Sequence, residues 1–130
     1  MPKVFTSKHQ KIGEAGENIA VKFLMKHGFY ILDRNYTKPW GEIDIIAIAP
    51  DKTLIFVEVK ALRKTNNFNL KPEDQLTRAK LKKLSRTASI YANNNQKLIK
   101  ETEGWRIDLI AISLKNAGNP TISHYKNILG

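Results

Sequence analysis

The stretch GEIDIIAIAPDKTLIFVEVKAL, residues 41–62, decides the fold of this 130-residue chain. Its two halves are rich in β-branched residues and carry charged residues at alternate positions, which is typical of strands that face a core. Pro50, Asp51 and Lys52 lie between the halves and favour a tight turn. The stretch therefore predicts an antiparallel hairpin.

A hairpin centred on Asp51 fixes which residues stand opposite each other. We expect Asp44 to lie opposite Glu58. The other predicted pairs are Glu42–Lys60 and Ile46–Phe56 on the same face, with Ile43–Val59 and Ile45–Val57 on the apolar face. A one-residue slip would mix the two faces, whereas a two-residue shift or a bulge would satisfy the same pattern.

This register places two carboxylates side by side among apolar residues. The Cβ atoms of Asp44 and Glu58 would be about 4.5–5.5 Å apart, where like charges repel. A shared proton, a nearby cation or a metal ion would reconcile them, and Lys60 offers an ammonium on the same face. Mg²⁺ or Mn²⁺ prefers such oxygen ligands. The alternative interpretation is an ordinary salt-bridge cluster, with both acids solvated at the rim of the sheet.

The rest of the chain predicts helices on either side of this hairpin. In order, we expect a helix over 12–26, a strand over 29–35, a breaker over 36–40, the hairpin, a helix over 72–91, a loop over 93–104, and strands over 105–114 and 121–128. The inward residues of the second helix would be Leu76, Ala79, Leu84, Ala88 and Tyr91. This order predicts an α/β fold, a mixed sheet of four to five strands flanked by helices. Residues 1–11 are expected to form a basic flexible arm, and residues 12–130 a single domain.

The composition narrows the functional class. Lys and Arg number 22 against 12 Asp and Glu, so the net charge is +10, and there is no Cys. The lack of Cys excludes a disulfide framework, an iron–sulfur cluster and a cysteine nucleophile. A small domain this basic favours nucleic acid as its partner, with an anionic membrane surface or simple solubility as alternatives. Because no apolar run reaches membrane-spanning length and no secretory signal is evident, we expect a soluble cytoplasmic protein without a membrane partner.

Acids, a lysine and a basic surface together indicate metal-assisted cleavage of phosphodiester bonds. The metal would polarise the phosphate and lower the pKa of a water molecule. Lys60 would orient or deprotonate that water, or stabilise charge in the transition state.

Five segments carry a resemblance to a known family. They are GEAGENIAVKFLMKHGFYILDRNY (13–36), GEIDIIA (41–47), IFVEVKALR (55–63), QLTRAK (75–80) and RIDLIAI (106–112). Together they resemble the YraN-like family of small bacterial proteins, in the PD-(D/E)XK nuclease superfamily near the Holliday-junction resolvases. The resemblance covers about residues 10–128.

This resemblance implies a restriction-endonuclease-like core, with a four-stranded sheet and a helix on either side, a divalent metal and DNA cleavage. Branched or damaged DNA, in repair or recombination, is our own expectation for the substrate. The superfamily's motif acids fall on Asp44 and Glu58, its lysine on Lys60, and the acid of its first helix on Glu17, with Glu14 as the neighbouring alternative. The expected metal ligands are thus Asp44, Glu58 and Glu17. Since inactive members of the superfamily are common, a non-catalytic nucleic-acid-binding module is the alternative function.

Further residues are expected around this centre. Glu42 would hold Lys60 or approach the metal, and Gln75 would face the site from the second helix. DNA is expected rather than RNA, and the predicted nucleic-acid-binding residues are Arg63, Lys64, Lys71, Arg78, Lys80, Lys82, Lys83 and Arg86. A homodimer would suit symmetrical cleavage of a junction, with an edge strand near Ile122 as its interface.

Three other interpretations concern residues away from the carboxylates. Arg106 and Asp108 are interpreted as a structural ion pair that closes one end of the sheet. Trp40 is interpreted as a packing aromatic under its loop, in preference to a base-stacking residue. His124 is expected at the surface.

Overall fold

The computed structural model describes residues 8–63, 71–115 and 118–130. It contains a five-stranded sheet with helices on both faces. The elements in chain order are α1 (Lys8–Lys26), β1 (Tyr30–Lys38), β2 (Gly41–Ile48), β3 (Leu54–Arg63), a 3₁₀ turn (Pro72–Gln75), α2 (Arg78–Asn94), α3 (Gln96–Glu101), β4 (Trp105–Leu114) and β5 (Thr121–Tyr125).

The strands lie in the sheet in their chain order, β1-β2-β3-β4-β5. β1, β2 and β3 form an antiparallel meander, β3 and β4 are parallel, and β5 is antiparallel to β4. The parallel step requires a crossover, which α2 and α3 provide. This mixed sheet confirms the predicted α/β fold, and it is consistent with a restriction-endonuclease-like core.

Two apolar clusters cover the two faces of the sheet. On one face, Ala20 and Leu24 of α1 belong to a cluster with Ile45, Ile55 and Ile110. On the other face, the members are Leu84 and Ala88 of α2 with Ile43, Ile46, Leu54, Phe56 and Ile107. Both helices are thereby fixed against the central strands that carry the predicted acids.

Two glycines allow this close approach. A Cβ added at Gly16 of α1 would lie 2.6 Å from the Cβ of Ala61 on β3, and one at Gly41 would lie 2.1 Å from Oγ1 of Thr87 on α2. Gly41 also has a φ of 155°, which L side chains rarely adopt. These contacts set the distance of each helix from the strands.

Several predicted boundaries differ from the structure. α1 begins at Lys8, so residues 8–11 of the predicted arm are helical, and β1 continues to Lys38 through the predicted breaker. Residues 93–104 are not a loop, because α2 runs to Asn94 and α3 follows.

The predicted helix over 72–91 is divided. Pro72–Gln75 forms a 3₁₀ turn, and α2 starts anew at Arg78 because the Thr77 side chain accepts a hydrogen bond from the Lys80 backbone N–H. The new start rotates the helix, and Ala79, expected inside, is exposed.

Candidate active site

The hairpin register is as predicted where the strands pair. Ile45 stands opposite Val57 and Ile46 opposite Phe56, and pairing continues to Ile48 and Leu54 at the turn. Beyond Ile45 the described residues of β2 and β3 form no further pairs with each other. The expected pairs Glu42–Lys60, Ile43–Val59 and Asp44–Glu58 are therefore not backbone partners. Instead Oδ2 of Asp44 accepts a 2.8 Å hydrogen bond from the backbone N–H of Val59. The carboxylate thus replaces a ladder bond, and the strands separate at Asp44.

Ile43 does not share a face with Ile45, contrary to the predicted alternation. Ile45 packs in the α1-side cluster, whereas Ile43 packs in the α2-side cluster. Asn35 of β1, which lies between the pairs Arg34–Ile45 and Tyr36–Ile43, has a φ of 53°. A residue in the left-handed conformation reverses the alternation of side chains along a strand. The side chains of β1 therefore change face at Asn35, and those of β2 change face at Asp44. Asp44 therefore sits at the switch point.

Glu58 and Lys60 face the α2 side of the separated strands. Nζ of Lys60 lies 3.2 Å from Oε2 of Glu58, and both side chains are mostly buried. They line a cavity of about 230 Å³ together with Glu42, Lys80, Lys83, Leu84 and Thr87. Lys60 is therefore paired with Glu58, not with Glu42 as expected, while Glu42 lies exposed at the cavity wall.

Asp44 has an unusually high affinity for a proton. Burial, together with the negative charge of Glu58 and a hydrogen bond with it, raises the pKa of Asp44 to about 7; the Val59 N–H and the Lys60 ammonium act in the opposite direction. At neutral pH the protonated and ionised forms are both populated. A proton on Asp44 and the Lys60 ammonium, two of the three solutions that the sequence offers, can thus offset the repulsion between the two acids.

Glu17 approaches the site from α1 but is already paired. Its Oε1 lies 3.2 Å from Nε of Arg34, and Nη2 of Arg34 donates a 2.7 Å hydrogen bond to Oδ1 of Asn18. Burial raises the pKa of Glu17 against the effect of Arg34, and the negative charges of Asp44 and Glu14 add to the rise. Sequence reasoning missed Arg34, because a register shift between Ile31 and Asp33, which the pattern does not reveal, places it opposite Ile45 on the α1 side.

Among residues 8–63, 71–115 and 118–130, no three His, Asp or Glu side chains are gathered closely enough to hold one metal ion. The structure brings Asp44 and Glu58 together, with Lys60 beside them. It keeps Glu17 with Arg34.

A second cavity of about 560 Å³ adjoins the site at the end of β3. Its lining includes Lys60 and Gln75 as well as Arg63 and Gly13. Gln75 therefore lies near Lys60, on the 3₁₀ turn instead of a helix. The signal for this residue was the resemblance, which implies a Gln facing the site near the start of the second helix.

Only some of the predicted basic residues lie at the two cavities. Lys80 and Lys83 line the cavity with Glu58, and Arg63 lines the second cavity. Lys71, Lys82 and Arg86 are exposed and outside these linings, Arg78 lines a separate apolar groove with Leu109 and Tyr125, and Lys64 lies outside the described residues.

Asp108 of β4, the partner of Val57 in the sheet, forms a structural cluster of its own. It is fully buried and accepts hydrogen bonds from Arg106, His124 and the Asn127 backbone N–H. Burial alone would raise the pKa of Asp108, but the bonds from His124, Arg106 and Asn127 outweigh burial and lower it. The predicted Arg106–Asp108 pair is confirmed. His124 is not a surface residue as expected, since its side chain is only 9% exposed.

Trp40 occupies the turn between β1 and β2, directly before Gly41. It is 41% exposed and belongs to neither apolar cluster, so the packing role expected for it is wrong.

No helix in the described parts of the chain is long and apolar enough to cross a membrane.

Comparisons with known proteins agree on one family. The model of "Uncharacterised protein family UPF0102" matches residues 16–112. A UPF0102 protein of Bacteroides thetaiotaomicron is 37% identical over 120 residues, which are 92% of this chain and 93% of the relative. One of Campylobacter hominis is 42% identical over 106 residues, 82% and 87% of the two chains, and one of Dictyoglomus thermophilum is 37% identical over 110 residues, 85% and 88%.

Proposed function

Because the chain belongs to the UPF0102 family, we propose that it is a divalent-metal-dependent endonuclease that hydrolyses phosphodiester bonds of DNA. This family is the YraN-like, PD-(D/E)XK-like group that the sequence resembles. The observation that carries this proposal is the separation of β2 and β3 at Asp44. It places Asp44, Glu58 and Lys60 together beside a lysine-lined cavity. Asp44 accepts the Val59 N–H, but the fold has no structural need for a second acid beside it.

The residues present fit a hard divalent cation. Asp44 and Glu58 offer carboxylate oxygens, the donors that Mg²⁺ and Mn²⁺ prefer, and a bound cation would offset the repulsion between them. Asp44 and Glu58 would hold the ion. When bound, it would neutralise charge on the phosphate and make a water molecule more acidic.

Lys60 has the position of a group that acts on the reacting phosphate. Its Nζ is held 3.2 Å from Glu58, and its side chain, which is 20% exposed, lines the cavity. An ammonium at this point can donate hydrogen bonds to a phosphate oxygen and stabilise the charge that develops there. Gln75, at the neighbouring cavity, is placed to orient a water molecule or a phosphate oxygen by hydrogen bonding.

The basic wall of the cavity supports a polyanionic substrate. Lys80 and Lys83 of α2 line the cavity together with Glu58, and Nζ of Lys80 donates a 3.1 Å hydrogen bond to the backbone oxygen of Gln75. Two basic residues thus belong to the cavity wall. Contacts from these residues suit phosphates and do not read base edges. The proposal is therefore recognition of DNA backbone and shape, including branched or damaged DNA in repair or recombination.

A cleavage panel tests this function. Labelled single strand, duplex, flap, four-way junction and RNA are incubated with Mg²⁺ or Mn²⁺ and with wild type, Lys60→Met or Lys97→Met. Met keeps most of the Lys side-chain length, and Lys97, exposed on α3, is the matched control. We expect wild type and Lys97→Met to cut one or more DNA structures and Lys60→Met to cut none.

Two results would contradict the proposal. Salt-sensitive binding without any cleavage would support the non-catalytic nucleic-acid-binding module. Preferential cleavage of RNA would support metal-dependent phosphodiester hydrolysis but would show that DNA is not the substrate.

A further inference from the structure

Arg34 connects two consecutive residues of α1 to the strand next to Asp44. Its Nε lies 3.2 Å from Oε1 of Glu17, and its Nη2 donates a 2.7 Å hydrogen bond to Oδ1 of Asn18. A guanidinium presents its donors in a rigid planar fork. One side chain thus satisfies both partners at once.

The backbone around Arg34 directs its side chain to this place. Arg34 stands opposite Ile45 in the sheet, and Ile45 is the neighbour of Asp44. Because Asn35 has a positive φ, the side chain of Tyr36 lies on the α2 side of the sheet, while that of Arg34 remains on the α1 side. The guanidinium therefore lies on the α1 side in contact with Glu17, and the negative charge of Asp44 contributes to the raised pKa of Glu17.

Glu17 needs a positive partner, because its side chain is only 12% exposed. An ionised carboxylate that is removed from water costs free energy unless it is paired. The resemblance offers a divalent cation for this purpose, but the structure shows Arg34 in contact with Glu17. No group of three acids that could share an ion is formed among the described residues.

We propose that Arg34, instead of a divalent cation, is the permanent counter-charge of Glu17, and that the site therefore takes one divalent cation per chain, held by Asp44 and Glu58. This inference rests on the proposed function. It assigns Arg34 a positioning role and removes Glu17 from the metal ligands that the resemblance implies. The fixed charge of Arg34 also opposes a second cation beside Glu17.

Mn²⁺ titration without nucleic acid tests this inference, with free Mn²⁺ measured by electron paramagnetic resonance and heat by calorimetry. We expect wild type to bind one ion and Asp44→Asn none. Glu17→Gln should bind one ion with an affinity within about twofold of wild type, because Glu17 is not a ligand. Arg34→Met should bind a second ion or bind the first about threefold more tightly, because a nearby positive charge is removed.

Two further variants separate charge from structure. Arg34→Lys keeps the charge and should bind Mn²⁺ like wild type, while Arg34→Met combined with Glu17→Gln should return to one ion. Arg34→Met leaves the mostly buried Glu17 unpaired and should lower stability, so thermal denaturation first verifies that it folds. Arg34→Lys and the double variant leave no unpaired charge and should fold like wild type.

The outcomes distinguish this inference from the proposed function. If Glu17→Gln lowers Mn²⁺ affinity about tenfold or more, as loss of a group supporting the metal does, Glu17 takes part in the metal site and the inference is wrong while the metal site stands. Binding of a second Mn²⁺ to wild type would also show that the inference is wrong while the metal site stands. A wild type that binds no Mn²⁺ overturns both proposals.

Discussion

The backbone N–H of Val59 donates a 2.8 Å hydrogen bond to Oδ2 of Asp44, at the position where β2 and β3 cease to pair. A carboxylate here takes the place of a backbone carbonyl. The bond fixes the carboxylate beside Glu58 while the separated strands leave space for a ligand. The same bond ties a proposed ligand-binding acid to the backbone of the strand that carries Lys60.

Asp44→Asn should stabilise the metal-free protein at alkaline pH. The pKa of Asp44 is raised from 3.8 to about 7 in the folded state, so the folded state binds more protons than the unfolded state. Wild type therefore loses stability as pH rises through about 7. In EDTA at pH 8, we expect Asp44→Asn to raise the free energy of unfolding by about 2–4 kcal/mol.

Urea denaturation from pH 5 to 8.5 measures this difference, which should shrink toward pH 5. The Asn oxygen can still accept the Val59 N–H, so geometry is retained. A difference that does not change with pH would contradict the raised pKa.

Gly16→Ala and Gly13→Ala should have opposite effects on stability. Both glycines lie in α1, but a Cβ at Gly13 has no heavy atom within 4 Å, while one at Gly16 meets the Ala61 Cβ at 2.6 Å. Gly13→Ala should raise the free energy of unfolding by about 0.5–1 kcal/mol through helix propensity. Gly16→Ala should lower it by about 1–3 kcal/mol through overpacking. Equal effects in thermal denaturation would show that α1 does not depend on close contact with β3.

Lys83→Ala and Lys82→Ala should differ in their effect on DNA binding. Lys83 lines the cavity with Glu58, whereas its neighbour Lys82 is exposed and lies outside that lining. If Lys83 neutralises a phosphate, its loss should reduce the slope of log K against log salt by about 0.9 on duplex. Lys82→Ala should leave the slope near the wild-type value. Fluorescence anisotropy between low and moderate salt, in EDTA, provides the slopes, and equal slopes for the two variants would argue against contact at this cavity.

Asp108→Asn should lower stability strongly without touching the candidate site. The buried carboxylate is bound to Arg106, His124 and the Asn127 N–H, and removing one member of a buried pair costs about 3–5 kcal/mol. Because the folded pKa of Asp108 is lowered, its contribution is present above the unfolded value of 3.8 and is lost as pH falls through the folded pKa. Chemical denaturation from pH 7 to 2.5 should show the gap between wild type and variant closing at acid pH. A constant gap would mean that the ion pairs do not carry the effect.

Trp40→Ala should weaken binding of single-stranded DNA more than that of duplex. The indole is 41% exposed at the β1–β2 turn, and the adjacent Gly41 touches Thr87 of the cavity wall. Stacking of an unpaired base on an aromatic ring contributes about 1–3 kcal/mol. Fluorescence quenching by single strand should disappear in Trp40→Ala, because Trp105 packs against Phe56 in the core. Quenching that persists would place the base elsewhere.

Much of the hairpin could be predicted from the sequence. Alternation and the turn residues predict pairing at Ile45–Val57 through Ile48–Leu54, because side-chain period and turn length are local properties. The same reasoning failed at Ile43, where the alternation reverses. Asn35 is one of the few residue types that tolerate a positive φ, but Asn is also common in ordinary turns, so its conformation could not be read from its identity.

The sequence by itself determined the two strands, the neighbouring acids Asp44 and Glu58, and the basic charge, because each depends on residue type and short spacing. Only the tertiary structure decided that the strands separate at Asp44 and that Lys60 pairs with Glu58. It also decided that Arg34 pairs with Glu17, seventeen residues earlier in the chain. Hydrogen bonds and ion pairs of this kind form between groups that packing brings together, and a one-dimensional pattern contains neither the distance nor the direction that selects them.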